Sequence, residues 1–376
     1  MRRFRRDPLG FVEDVARLNP AGVARLPWGA WCVSDTRLAR VLLRDPRFNA
    51  GMSGFFGNAL PSRPAQSALG HHVRDMMRSR MPEYRTAVAA AAERFPAVSR
   101  WPAAGVDLVY RCTADLLLHP DAPPDLRRLQ QQRVRGGLGR QQTFWRRARA
   151  ELRRRRLVSA LVEHVAERRK QSRAAQPRDL LDAVIGACPD EVTDRAVTSV
   201  YLLLFRSIVG VVGHSVAWSV LSAGLHHPPG SAWPWPVDWL VREAARHRPV
   251  VWMVARRIPE PVDFGGIAFP SGTRLSVSPY LLHHDERHWT RPGVFRPERW
   301  AEPGGRGFYL PYSSGPFVCA GAAVAHTLVT EAVAALGAEA RLTVVDGDLT
   351  PVVTDSNVPR PFTLHRTSRT PTHRRR

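Results

Sequence analysis

Three short stretches carry residue types at spacings from which chemistry can be built. In PYSSGPFVCAG (Pro311–Gly321), Cys319 stands in a loop poor in large side chains, with Gly315 before it and Gly321 after it. The following AGAAVAHTLVTEAVAALG has helical, amphipathic character, so the sulfur lies just ahead of a helix N-terminus. Free N–H groups and the positive dipole end there favour a thiolate over a thiol. Gly315 permits a sharp turn, and Gly321 keeps the backbone clear of anything flat lying over it. Such a thiolate suits a metal that arrives with its other ligands supplied, and haem is such a complex. In VREAARHRP, Glu243 and Arg246 stand at i, i+3 and share a helix face. In FRPERW (Phe295–Trp300), Arg299 can join them in a buried charged triad, tolerable only if fully hydrogen-bonded.

The elements that must position these residues are mostly helical, with small patches of strand. DTRLARVLLRD (Asp35–Asp45) has apolar residues at helical spacing behind a capping Asp, and ARLPWGAWCVS before it reads as a short hairpin. RRARAELRRRRLVSALVEHVAERRK (Arg146–Lys170) carries an apolar stripe through Leu152, Leu157, Leu161 and Val165, and its arginines read as a solvated face. VTDRAVTSVYLLLFRSIVGVVGHSVAWSVLSAGLHH predicts a central helix of roughly 33 residues, about 50 Å long, capped by Thr193 or Asp194. Gly210 and Gly213 cost it roughly 1 kcal/mol each against Ala, which predicts a close approach to its backbone, by a ligand or by another helix.

Composition narrows the class. The chain has 376 residues, 44% of them hydrophobic, enough for a sizeable core. Cys32, Cys112, Cys188 and Cys319 lie far apart without a CxxC, which argues against a disulfide framework or a zinc site. No secretory signal pattern opens the sequence, and Arg206 interrupts its most apolar stretch, so the expectation is a cytoplasmic protein without a membrane span. The formal charge is +22, with Lys170 the only lysine, which favours acidic partners. Nucleic acid is not expected among them, because no interleaved aromatic–basic motif or reader fold is present.

Taken together and in this order, the three stretches resemble the cytochrome P450 family, specifically its soluble bacterial haem-thiolate monooxygenases. The family loop has the form Phe-x-x-Gly-x-Arg-x-Cys-x-Gly, and here it reads Tyr312, Gly315, Phe317, Cys319 and Gly321 at the matching positions. The N-terminal DPLGFVEDVARLNPAGVARLPWGAWCVSDTRLARVLLRDPRFNAG and GGIAFPSGTRLSVSPYLLHHDERHW (Gly265–Trp289) also resemble family segments. The resemblance implies one large, mainly α domain with small β-sheets over residues 1–366, followed by a basic tail, 367–376. It implies haem b held through the Cys319 thiolate, and a structural brace of Glu243, Arg246 and Arg299. It also implies haem-propionate contacts from Arg256 or Arg257 and from His72, Arg74 or Arg78. The implied partners are a small organic, biosynthetic substrate, a ferredoxin with its reductase, and in some cases a carrier protein.

The sequence departs from the family in two places. Phe317 stands where arginine or histidine usually reaches a propionate. The central helix should carry an acid and a threonine that deliver protons during dioxygen activation. Aligning Gly210 with the family glycine puts Val212 and Gly213 at those positions, leaving Ser207, His214 and Ser215 as the polar groups in reach. The leading expectation is a haem-thiolate oxidase or monooxygenase of secondary metabolism, with Gly210, Gly213, His214 and Ser215 facing its reaction centre. Oxidative coupling or peroxide-driven chemistry is the alternative raised by the missing pair. A non-catalytic binding or recruitment protein on the same fold is a third reading. Substrate selection falls to Met52–Gln66, with Phe55 and Phe56, to Arg127–Arg156 and to the helix near Gly210.

Overall fold

A computed structural model describes residues 2–57, 59–137, 144–171, 176–302, 307–338 and 340–368. The expected tail lies outside them from 369 onward, while Thr367 and Ser368 belong to the last strand. Parts of two expected selectivity segments, residue 58 and residues 138–143, are likewise outside the described residues.

Among the described residues, helices make the body and four small sheets fringe it. The largest sheet has the order β1–β2–β7–β4, with β1 Val23–Arg25, β2 Trp31–Val33, β4 Val254–Arg257 and β7 Arg274–Val277. β1 and β2 form the expected hairpin, and β2 pairs in parallel with β7, tying the N-terminal segment to a strand far along the chain. A three-stranded sheet orders β3 (Val98–Trp101), β11 (Phe362–Ser368) and β8 (Ala340–Val345). The hairpins β5–β6 (Val262–Phe264, Ile267–Phe269) and β9–β10 (Pro351–Val353, Asn357–Pro359) complete the strands.

The central helix runs from Asp194 to Leu225, and the Thr193 hydroxyl accepts from Ala196 N–H at its start. By length and composition it could cross a membrane, yet half of its apolar window is packed inside the protein. Val209, Val216, Ala217, Trp218, Val220 and Leu221 are all buried in the main core. One feature has no trace in the apolar pattern: Ser207–Val211 is a π-turn, splitting the helix into Asp194–Arg206 and Val212–Leu225. Such turns widen a helix by one residue and occur mostly at functional sites.

The arginine-rich helix Phe144–Lys170 buries Leu157, Leu161 and Val165 as expected, but Leu152 is 53% exposed. The stripe therefore begins one turn later than its periodicity suggests. Several of its arginines are paired: Arg154 and Arg155 with Glu151, and the buried Arg168 with Asp179 and Asp182. Cys32, Cys112 and Cys188 are buried, whereas Cys319 is exposed.

Candidate active site

The charged triad assembles as its spacing suggests. Glu243 and Arg246 lie on the helix Val237–His247, Arg299 on the short 3₁₀ turn Pro297–Trp300, and all three are fully buried. Glu243 Oε1 accepts from Arg246 Nη2 at 2.8 Å, Arg299 Nε at 3.0 Å and the Arg296 backbone N–H at 2.9 Å. Its Oε2 accepts from Arg246 Nε and from Trp300 Nε1. The remaining guanidinium N–H groups reach carbonyls: Arg246 to His283 and Val294, Arg299 to Thr290, Arg291 and Val294. A single carboxylate facing two guanidiniums survives burial because each donor has an oxygen to meet.

Sequence reasoning missed the link from this triad to the cysteine loop. His283 is fully buried; its Nδ1 donates to the Arg246 carbonyl and its Nε2 accepts from Leu310 N–H at 2.7 Å. Both partners fix the neutral tautomer, and burial pushes the imidazole pKa down to about 3. Leu310 is the residue before PYSSGPFVCAG, so the triad holds the start of that loop through one histidine ring.

Within the loop, Cys319 N–H donates to the Tyr312 carbonyl at 3.0 Å, closing the turn that presents the sulfur. Gly315 has φ +73°, and a Cβ there would lie 2.1 Å from the Leu43 carbonyl oxygen, so backbone angle and packing both demand glycine. Gly321 N–H donates toward the sulfur, and the helix Ala322–Ala338 begins directly after it. Desolvation raises the Cys319 thiol pKa in the free chain, and the Gly321 backbone hydrogen bond offsets it only in part. A bound cation is what deprotonates a thiol in such a place.

Arg256 is the propionate candidate that the structure brings to the loop. It lies on β4, 7% exposed, its guanidinium carbon 5.0 Å from the centre of the Phe317 ring. Its Nη2 is buried without a hydrogen-bond partner. Arg257 turns outward to the Gly272 carbonyl. The helix Arg63–Ser79 packs on the loop through Gly70, where a Cβ would meet Ala320 Cβ at 3.0 Å. The expected contacts on this helix are engaged elsewhere. His72 is exposed with Nδ1 on the Ala68 carbonyl, Arg74 pairs with Asp75, and Arg78 lines an outer depression.

The central helix offers less than expected. A Cβ on Gly213 would lie 2.7 Å from Val106 Cα, so this glycine admits the helix Ala103–Leu117 and not a ligand. Ser207 and Ser215 hydroxyls donate back to the carbonyls of Leu203 and Val211. His214 is half-buried, and desolvation together with the Arg206 charge lowers its pKa to about 4, so it is neutral at physiological pH. Gly210 is buried within the π-turn.

Comparison with known proteins agrees with this geometry. The Cytochrome P450 family model matches residues 237–336, the stretch from the Glu–Arg helix through the cysteine loop. Over that stretch the chain carries the pattern of the cytochrome P450 family, in agreement with the resemblance drawn from its sequence. Cyclooctatin synthase of Streptomyces melanosporofaciens is 25% identical over 218 residues, 50% of this chain and 48% of that protein. Human cytochrome P450 3A5 is 34% identical over 88 residues, 23% of this chain and 18% of the relative. The chain thus spans about half, or less, of the length of these curated relatives. Whole-chain likeness comes from solved structures. CalO2 matches with a TM-score of 0.74 at 19% identity, covering 97% of both chains. P450BioI in complex with acyl-ligated acyl carrier protein matches with a TM-score of 0.73 at 14% identity, over 96% of this chain and 98% of that one. At such identities these structures establish the fold. P450 proteins bind haem through a cysteine thiolate, and the donor set here fits that group: one exposed cysteine sulfur, glycines around it, and a buried cation, Arg256, with an unpartnered N–H.

Proposed function

We propose that the chain is a haem-thiolate oxidoreductase acting on a small organic substrate, in which the Cys319 sulfur would hold the iron and Arg256 would meet a propionate. The observation that carries this reading is the relay from Glu243 through Arg246 and His283 to Leu310, which holds the Cys319 loop at a fixed height. Bound haem supplies dioxygen or peroxide activation at an iron made electron-rich by its thiolate. The chain's own part is to hold the sulfur, neutralise propionate charge and wall the opposite face with the π-turn of the central helix. Gly315 fixes the loop against Leu43, and Phe317 and Gly321 leave it low and apolar toward the cofactor.

Electrons are assigned to an acidic ferredoxin-type donor. Behind the cysteine loop, Arg78, Met81, Pro82, Arg85, Val324 and Thr327 line a depression of about 330 Å³ whose basic rim suits such a protein. A carrier-tethered substrate is compatible with the basic helix Phe144–Lys170, in the way P450BioI was solved with its acyl carrier protein. The sequence supports a cytoplasmic location and a biosynthetic setting, the latter in keeping with cyclooctatin synthase.

Coupling or peroxide-driven oxidation stands as a second reading because one observation favours it. Ser207 and Ser215 spend their hydroxyl protons on their own helix, and His214 is a neutral imidazole, not an imidazolium acid, at neutral pH. Protons must then come through water or a substrate hydroxyl. The absorption spectrum of the reduced protein under carbon monoxide tests the main proposal. A red-shifted Soret band of the thiolate type is expected for the native protein and its loss for Cys319→Ser; an unchanged spectrum in the variant removes the proposal. Incorporation of one labelled oxygen atom from dioxygen separates insertion from coupling.

A further inference from the structure

Phe317 occupies the position where the resemblance calls for a cation, and two cations flank its ring. Arg256 lies 5.0 Å and Arg63 5.2 Å from the ring centre, measured to the guanidinium carbon. Neither is paired with a carboxylate among the described residues. Instead, both are held by one fully buried residue, Asn49, 1% exposed. Its side-chain Oδ1 accepts from Arg256 Nε at 2.6 Å, its backbone carbonyl from Arg63 Nη1 at 2.9 Å. Asn49 is itself pinned, its Nδ2 donating to the carbonyls of Leu42 and Asp45.

The folded chain alone gives no reason for this arrangement. Arg63 opens the helix Arg63–Ser79, where the dipole is positive and an acidic residue would stabilise; no acid stands in that first turn. Two guanidiniums over one ring repel each other, and burial depresses the Arg256 pKa to about 10, still leaving it charged at neutral pH. Arg256 Nη2 has no acceptor at all. A buried, unpaired cation is costly until an anion meets it. The ring offsets part of that cost by cation–π attraction, and it holds both planes in place.

We propose that Arg63 and Arg256, stacked on Phe317 and bracketed by Asn49, form a two-guanidinium clamp for the carboxylates of the haem propionates. Arg63 is then the anchoring charge that takes over from the absent cation at position 317. The clamp rests on the haem reading. It makes Phe317 a positioning residue and Arg63 a binding residue, roles that sequence order alone does not suggest.

Haem loss from the holoprotein to an excess of apomyoglobin, followed by the Soret band, tests it. The protein is also reconstituted with haem dimethyl ester, whose propionates carry no charge. Arg63→Leu is expected to speed loss of haem about tenfold or more and to leave loss of the ester within about twofold of the native rate. Phe317→Leu is expected to speed haem loss a few-fold, with the ester again little changed. Arg63→Lys keeps the charge without the fork and falls between native and Leu, which also serves if the Leu variant does not fold. Native haem retention in Arg63→Leu, or equal acceleration for haem and ester, overturns the clamp while the haem reading stands. A native protein that takes up no haem overturns both.

Discussion

Two regions of the molecule, the frame of the cysteine loop and the middle of the central helix, are built to different standards. On the cysteine side, every charged group of the triad has its partners, and the Cys319 loop is tied at Leu310, Gly315 and Tyr312. The middle of the central helix, by contrast, offers back-bonded serines, a neutral histidine and a π-turn. The difference teaches that ligand presentation is over-determined, while whatever directs the reaction is left to shape, water and substrate. Holding a sulfur in one place needs a rigid frame, and the hydrogen bonds of the triad and its loop supply one.

The largest expected effect breaks the rigid side. Glu243→Gln removes the one negative charge between Arg246 and Arg299, both fully buried, and should cost about 3–5 kcal/mol, read by chemical denaturation, with loss of pigment. If stability fell by less than about 1 kcal/mol, the triad would not be the frame described here.

Acidification should strain the same side next. His247, His283 and His284 are buried and their pKa values are depressed by desolvation. The unfolded chain takes up these protons below about pH 6.5, whereas the folded His283 does so only near 3. Their contribution is therefore complete above about 6.5 and is lost as pH falls from there toward 3. Denaturant titrations at a series of pH values measure it, and Leu310's tether makes pigment loss the accompanying signal. His283→Gln should flatten part of that slope.

In the central helix, Gly213→Ala pits a helix-propensity gain of about 1 kcal/mol against overlap with Val106 backbone. A net loss of about 1–3 kcal/mol is expected, visible as a lower Tm, with the thiolate-type spectrum retained. A stabilised variant with altered substrate binding would instead place this glycine toward the ligand. The smallest effect is expected at His214. With its pKa near 4, His214→Phe should leave the pH profile of turnover above pH 6 unchanged and the rate within about twofold. A lost basic limb would make it a proton donor after all and erase much of the contrast between the two sides.

What could be read from the sequence follows the reach of each interaction. Cys319, Glu243, Arg246 and Arg299 announce themselves because a glycine-flanked cysteine and an i, i+3 charge pair are local patterns. The β1–β2 hairpin and the caps at Thr193 and Asp35 were legible for the same reason. Asn49, Arg63 and His283 were not, since each acquires its role from a partner that only folding brings near. Asn49 and Arg256, for instance, are 207 positions apart. The π-turn was hidden because Ser207–Val211 has the composition of any apolar helix. At Cys319 the helix that follows favours a thiolate, a local signal, whereas the desolvation that raises the thiol pKa comes from the folded surroundings.

The seat of the cysteine loop has a consequence for how the chain is made. Leu43 limits Gly315, and Arg44 donates to the Ser314 hydroxyl across 270 positions. The first eighth or so of the polypeptide leaves the ribosome with its half of this junction exposed and must wait for most of the remainder before the other half emerges. On the proposed haem reading, pigment acquisition is expected to be a closing event of biosynthesis, and a nascent chain that stops before Cys319 to be colourless however well its helices have formed.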